Sequence, residues 1–224
     1  MQKTLLPLPS NLPTFEAAIQ GLECVPEVLY QALEHAAFKT KEFKDLHFPA
    51  QPKLDACLTA AVFRAHVIQY LKGKGIEARE DAGKWAFKLL SFCGISFYYN
   101  HKHIRILKGP NGILPGCGHS KSRKKFYDQH QTRYLVGNQI MESDANLIVL
   151  WDLDSAYALA QLWLALPCKG SKRSQDVSAY WCEDIPHPAQ KAASVPEKAP
   201  VDDGLDTLIK HKNEIKDDEE SGTK

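Results

Sequence analysis

Hydrophobic positions in the first third of the chain recur at helical spacing. Thr14 is suited to cap a short helix, FEAAIQG. Pro26 suits the first turn of a second helix, PEVLYQALEHAAF, before the chain breaks at FPAQP. From Leu54 onward apolar residues return every three or four positions until a pair of glycines. The sequence therefore predicts a helical section within residues 14–75, after an extended lead-in at residues 1–13.

The pattern changes to short β-branched and aromatic segments from Trp85 onward. AFKLLSF, ISFYYN and HIRILKG are separated by turn residues, and the alternation along HIRILKG is typical of a half-buried strand with one basic face. NLIVLWDL and AYALAQLWLALP are predicted to pair as an antiparallel hairpin across Asp154 and Ser155. We therefore predict an α+β fold, with N-terminal helices packed on a mostly antiparallel sheet. Residues 14–186 form the single domain in this prediction, with residues 85–186 as its β-rich section.

Composition separates the end of the chain from this domain. Residues 187–224 contain few large apolar residues, and nine acids accompany five lysines from Glu197 to the end, which predicts a disordered acidic tail. The formal net charge of the whole chain is +1, so total charge implies no general affinity for nucleic acid or membranes. No apolar run approaches the roughly 20 residues of a membrane helix, so we expect no membrane partner. The six cysteines contain no CxxC pair, which favours reduced thiols and a cytoplasmic location.

Positive charge is concentrated in one segment. Between Tyr99 and Tyr134 eight Lys or Arg residues accompany one acid, Asp128. Within this segment, GPNGILPGCGHSKSRKKFYDQ (109–129) combines a glycine-proline loop, which lets backbone N–H groups approach an anion, with hydroxyls and cations. Basic residues interleaved with aromatic ones suit contact with nucleic-acid phosphates and stacking on bases. The candidate anion-binding residues are Lys102, Arg105, Lys108, Ser120, Lys121, Ser122, Arg123, Lys124, Lys125 and Arg133.

This glycine-rich loop is not a P-loop. A P-loop requires Lys and then Ser or Thr after its last glycine, whereas Gly118 is followed by His119 and Ser120. SRKKFYDQHQ is predicted to form a helix capped by Ser120 or Ser122. A solvated loop with a charged helix face is the alternative interpretation of the segment. A helix-turn-helix within residues 14–37 is a further alternative, although the junction between its helices matches that motif poorly.

Five candidate metal ligands fall within 27 residues: Cys93, His101, His103, Cys117 and His119. Structural zinc sites show paired ligands two to four residues apart with a knuckle turn, and this spacing does not match them. We therefore expect buried thiols and surface histidines here, and neither a metal nor a cofactor.

Two aspartates are candidates for catalysis. Asp152 and Asp154 follow an apolar strand, where nucleases and phosphotransferases often hold Mg²⁺. Aspartate is also favoured in hairpin turns, which is the preferred interpretation of both residues. The alternative function that they support is a metal-dependent nuclease or phosphodiesterase.

Apolar residues suggest a second alternative function. Trp163 alternates with Leu162 and Leu164, and this pattern would suit an edge strand that binds a protein partner. The chain would then be a protein-interaction subunit that acts through a hydrophobic sheet edge.

The order HIRILKG, GHSKSRKKFYDQ and LIVLWDLDSAYALAQLWLALP resembles small uncharacterised bacterial proteins encoded near helix-turn-helix regulators, over residues 85–170. The resemblance implies a bacterial stress or regulatory module of the toxin–antitoxin or mobile-element kind, and it assigns no role to any residue. From the residues themselves we expect a non-enzymatic cytosolic binding protein. Its basic loop and strand face would contact the phosphates of DNA or RNA, or a protein partner.

Overall fold

A computed structural model describes most of the chain up to Pro188. The predicted disordered tail, residues 187–224, lies outside the described residues from residue 189 onward. The described residues are 7–74, 85–90, 94–131, 133–136, 139–173 and 176–188.

The described residues contain four α-helices, three of which precede the sheet. They are α1 (Phe15–Leu22), α2 (Val25–His47), α3 (Ala56–Gly73) and α4 (Lys121–Tyr127). α2 continues past Phe38, where the prediction ended it, because the residues that follow are mostly good helix formers even though they lack an apolar stripe. None of the helices in the described ranges combines the length and apolar character needed to cross a membrane.

Local capping chemistry explains where two of these helices begin. The Thr14 side chain accepts a hydrogen bond from the N–H of Ala17 (3.3 Å), as predicted. Asp55 Oδ1 accepts from the N–H groups of Cys57 and Leu58 (2.8 and 2.9 Å). Such caps stabilise a helix by about 1 kcal/mol, because the N–H groups of the first turn have no intrahelical acceptor.

The strands form one large sheet and one separate hairpin. They are β1 (Trp85–Leu90), β2 (Gly94–Tyr99), β3 (Lys102–Lys108), β4 (Arg133–Val136), β5 (Gln139–Glu142), β6 (Ala145–Leu153), β7 (Leu159–Lys169) and β8 (Ser178–Asp184). The six-stranded sheet has the order β1-β2-β3-β6-β7-β8, and β4 pairs with β5 alone. All pairings in the large sheet are antiparallel except that of β3 with β6. The predicted α+β class, mostly antiparallel sheet and β6–β7 hairpin are confirmed.

Both faces of the large sheet are covered, and this decides where the basic segment lies. α1, α2 and α3 pack on the first face, where the core includes Ile104 and Ile106 of β3. The second face holds Leu107 of β3, which packs in a core that includes Phe126 of α4. Because β3 and β6 are parallel neighbours, the chain between them must cross over the sheet. That crossover carries residues 109–120 and α4 onto the second face.

The predicted edge strand is wrong. β7 lies between β6 and β8, so it offers no free edge. Its Trp163 instead packs against Gly112, where an added Cβ would lie 3.2 Å from the indole ring. β8, which the prediction missed, occupies the position next to β7, and most of its residues are only partly buried. The protein-interaction alternative therefore loses the strand on which it rested.

Candidate anion-binding surface

α4 separates an apolar inner face from a cationic outer face. Phe126 and Tyr127 are buried against the sheet. Ser120 caps the helix by accepting a hydrogen bond from the N–H of Arg123 (3.2 Å), as predicted. The exposed residues of the helix are Lys121, Ser122, Lys124 and Lys125.

A second basic segment lies directly against α4. This KGSKR segment (169–173) begins at the last residue of β7, and two hydrogen bonds hold it in place. The N–H of Cys117 donates to the Ser171 carbonyl (2.7 Å), and the N–H of Gly170 donates to Asp128 Oδ1 (2.8 Å). An added Cβ at Gly170 would lie only 3.1 Å from Lys124 Cα, so the two backbones are in close contact. The exposed cations of this segment are Lys169, Lys172 and Arg173.

Together these cations form what we call the basic surface: Lys121, Lys124, Lys125, Lys169, Lys172 and Arg173. Within the described ranges, none of the six forms an ion pair with a carboxylate. Two acids lie beside this surface: Asp128 is half-buried and accepts from the Gly170 N–H, and exposed Asp176 donates its backbone N–H to the Arg173 carbonyl (3.2 Å). Unpaired cations on one surface create a positive potential that attracts polyanions. The KGSKR segment was not among the predicted anion-binding residues, although its density of cations was a signal for it.

Two predicted strand cations lie on the first face of the sheet, away from the basic surface. Lys102 Nζ is 3.7 Å from Asp144 Oδ2, and its side chain is mostly buried. Lys108 Nζ lies 5.8 Å from the centroid of the Trp151 ring. The cavity that Lys108 and Trp151 line with Phe63 has a volume of roughly 50 Å³. That is far below the roughly 300 Å³ at which ligand pockets begin, so it suits a few waters.

A third predicted cation is neutralised locally. Arg133 Nε donates to Glu142 Oε1 (2.7 Å) across the β4–β5 hairpin. The pair is exposed, so it adds little stability, but it offsets the charge that Arg133 would present to a polyanion.

The predicted solvent-facing basic side of β3 is wrong. His103 and Arg105 are 2% and 7% exposed, and His101 lies in the β2–β3 turn with a φ of 61°. α4 covers both strand residues: the Phe126 ring centroid is 4.2 Å from Arg105 Cζ and 4.7 Å from the His103 ring. Burial lowers the pKa of Arg105, and the positive charge of Arg123 lowers that pKa further.

Buried amides fix the orientation of α4. Asn146 Nδ2 donates to the carbonyl oxygens of Phe126 (3.1 Å) and His130 (2.8 Å). Gln129 Nε2 donates to the carbonyl oxygens of Asn146 (2.9 Å) and Pro167 (2.7 Å). These bonds tie the end of the helix to β6 and β7, so its lysines face outward.

The catalytic candidates are not next to the basic surface. Asp154 Oδ1 accepts from the N–H groups of Ala156 and Ala158 (2.8 Å each), which is a turn role. Asp152 Oδ1 accepts from the N–H of the next residue (3.0 Å). Asp152 lies near the end of β6 and Asp154 directly follows the strand, whereas Asn146, which contacts α4, lies at its start. Asp152 lies six positions along the strand from Asn146, a distance of about 20 Å.

The candidate metal ligands are dispersed where they are described. Cys93 lies outside the described residues. Cys117 is buried, and burial raises the pKa of its thiol, whereas His119 is exposed. Surface positions were predicted for all three histidines. The prediction is correct for His101 and His119, which are exposed, and wrong for His103, which is buried on the sheet. Among the described residues, no group of three or more His, Cys, Asp or Glu is placed to hold a metal ion.

No family model, curated protein or solved structure matches this chain. The resemblance to bacterial proteins encoded near helix-turn-helix regulators therefore stays a prediction. The function is inferred below from the residues of the chain itself.

Proposed function

We propose that this chain is a non-enzymatic binding protein that holds the phosphate groups of DNA or RNA on the basic surface. The observation that carries the proposal is the packing of the KGSKR segment against α4, which brings six exposed cations together. Nucleic-acid phosphates are the densest common array of negative charge, and binding to them releases condensed counterions.

Phosphate contact is favoured over base recognition. Three aromatic residues that we expected to stack on bases are buried: Tyr98 stacks on His103, and Phe126 and Tyr127 lie on the inner face of α4. Contacts to phosphates fix position and carry no sequence information. The proposed binding is therefore insensitive to sequence and strongly dependent on salt.

Charge reversal on α4 tests the proposal. Binding of a fluorescent oligonucleotide is measured for wild type and for Lys121→Glu/Lys124→Glu/Lys125→Glu. We expect at least a tenfold loss of affinity, because three phosphate contacts become repulsive. Circular dichroism and thermal unfolding establish that the variant folds, since all three side chains are exposed.

A matched control distinguishes the effect of charge on α4 from the effect of the net charge of the protein. Lys41→Glu/Lys53→Glu/Lys74→Glu reverses three exposed lysines on or beside the N-terminal helices and changes the net charge equally. We expect this control to bind within about twofold of wild type at physiological salt, where distant charges are screened. Equal loss in both variants, or no loss in the α4 variant, would contradict the proposal.

The alternatives give different results with the same samples. Cleavage of the oligonucleotide with Mg²⁺, lost on Asp152→Asn, would replace the binding proposal by the nuclease alternative. Retention of an acidic protein with no affinity for nucleic acid would favour a protein partner instead. The five described cysteines carry free thiols, which fits the proposed cytoplasmic location. A bacterial stress or toxin–antitoxin module is proposed on the resemblance alone.

A further inference from the structure

Arg105 Nε and Ser96 Oγ are buried on the second face of the sheet and have no hydrogen-bond partner within the described part of the chain. Ser96 of β2 and Arg105 of β3 are direct partners in the strand register, so both side chains lie side by side on one face. This pair therefore places a hydroxyl and a guanidinium, two groups that can donate to an anion, side by side.

The Arg105 guanidinium is buried beneath the Phe126 ring of α4. Among the described residues no carboxylate forms an ion pair with it, and its closest recorded contact is the Phe126 ring. The face of an aromatic ring attracts a cation, but it does not accept hydrogen bonds from the N–H groups that lie in the plane of the guanidinium. A buried charge that is neither paired nor hydrogen-bonded is strongly destabilising, so an anionic partner would stabilise this arrangement.

A second guanidinium approaches from α4. Arg123 is half-buried and lies on the same helix face as Phe126 and Tyr127. Its Nη1 donates to the Gly116 carbonyl (3.2 Å), and the other guanidinium nitrogens have no described acceptor. Arg123 precedes by three residues the Phe126 ring that covers Arg105, and its positive charge lowers the pKa of Arg105. An oxyanion between these two cations would be attracted by both.

We propose that Arg105, Ser96 and Arg123 form a discrete site for one phosphate group beneath α4, distinct from the basic surface. Guanidiniums bind phosphate through paired, charge-assisted N–H···O bonds, and the serine hydroxyl donates a further bond. The residual 7% exposure of Arg105 shows that this residue is not fully sealed from solvent. The phosphate group belongs either to free inorganic phosphate or to the end of a nucleic-acid strand. If the phosphate group is the end of a nucleic-acid strand, the site rests on the proposed function. If it is free inorganic phosphate, the site is independent of that function.

Inorganic phosphate is the first probe. Binding is measured by calorimetry and by thermal unfolding, with sodium chloride at equal ionic strength as the reference. We expect one saturable site in wild type, and affinity weakened about 10- to 100-fold by Ser96→Ala and by Arg123→Gln, because each removes a bond to a charged ligand. Wild type that responds equally to phosphate and chloride, or variants that bind phosphate as wild type does, would overturn the site.

Arg105 itself requires two variants. Arg105→Gln removes the charge, and it is interpreted only if circular dichroism shows a folded chain. Arg105→Lys keeps the charge but loses the planar fork, so we expect it to fold and to bind phosphate at least tenfold more weakly. Unchanged affinity in the lysine variant would show that the fork makes no contact with phosphate and would overturn its assigned role.

Two further comparisons identify the source and separate this site from the basic surface. A 5′-phosphorylated oligonucleotide that binds more tightly than its 5′-hydroxyl counterpart, with the difference removed by inorganic phosphate, identifies a terminal phosphate. Equal binding of the two, with inorganic phosphate still bound, identifies free phosphate. Lys121→Glu/Lys124→Glu/Lys125→Glu is expected to lose nucleic acid but to keep inorganic phosphate. Nucleic-acid binding without phosphate binding refutes this site alone, and the reverse result refutes the proposed function alone.

Discussion

Gly170 is the point at which the KGSKR segment meets α4, and its replacement by alanine is expected to force the two apart. An added Cβ would lie 2.8 Å from Cys117 Sγ, 3.1 Å from Lys124 Cα and 3.1 Å from Tyr127 Cβ. The contact with Lys124 is to backbone, which cannot rotate away. The segment, the helix or both must therefore move.

The expected cost of Gly170→Ala follows from that crowding. Forcing an extra methyl group into a well-packed site costs about 1–3 kcal/mol. In a chain of this size each 1 kcal/mol lowers Tm by about 2–4 °C, so we expect Tm to fall by roughly 2–12 °C. Gly73→Ala is the matched control, because no atom lies within 4 Å of its added Cβ and the position ends a helix. Alanine is favoured over glycine in helices by up to about 1 kcal/mol, so the control is expected to be neutral or stabilising.

Urea unfolding followed by tryptophan fluorescence measures both variants, and oligonucleotide binding is measured on the same samples. Gly170→Ala should also bind nucleic acid more weakly than Gly73→Ala, because Lys169, Lys172 and Arg173 move relative to the helix. If the two variants are equally stable and bind equally, the close packing of the segment on α4 is refuted.

Three other predictions test the elements that support this arrangement. Asn146→Ala removes three side-chain hydrogen bonds and should cost about 1.5–4.5 kcal/mol by urea unfolding, whereas a change at exposed Asn11 should stay within about 0.5 kcal/mol. Burial raises the pKa of Tyr30 to about 12, and its phenol donates to the Ile185 carbonyl (2.5 Å). The folded pKa lies above the unfolded value of 10.0, so this contribution to stability is complete below pH 10 and is lost as pH rises towards 12. Tyr30→Phe should therefore flatten the alkaline part of the stability curve, and an unchanged slope would contradict that assignment. Asp154→Ala leaves two turn N–H groups without their acceptor and should cost about 1–2 kcal/mol without affecting nucleic-acid binding.

Local chemistry made the helices and the central hairpin predictable. Thr14 and Ser120 act on N–H groups three residues away, so sequence alone shows where α1 and α4 begin. The β6–β7 hairpin was equally predictable from the sequence, since two apolar segments flank a short turn that begins at Asp154. β8 was missed because its mixture of polar and aromatic residues reflects partial burial and lacks a clear alternation.

The location of the candidate site depends on contacts between distant residues. Alternation along β3 correctly placed His103 and Arg105 on one face, but their burial follows from the parallel pairing of β3 with β6. That pairing carries α4 over the face, and nothing local to HIRILKG encodes it. The same holds for Gly170, which meets Lys124 although 46 positions separate them in the chain. The periodicity of a strand identifies its two faces but not what covers each of them.

The salt dependence of nucleic-acid binding tests the central claim most directly. If the six cations of the basic surface contact phosphates, the slope of log K against log salt concentration for duplex DNA should approach about −5. Lys121→Glu/Lys124→Glu/Lys125→Glu should make that slope shallower by about 2.7, and Lys41→Glu/Lys53→Glu/Lys74→Glu should leave it unchanged. A slope near zero in wild type, or the same slope in all three proteins, would contradict binding through this surface.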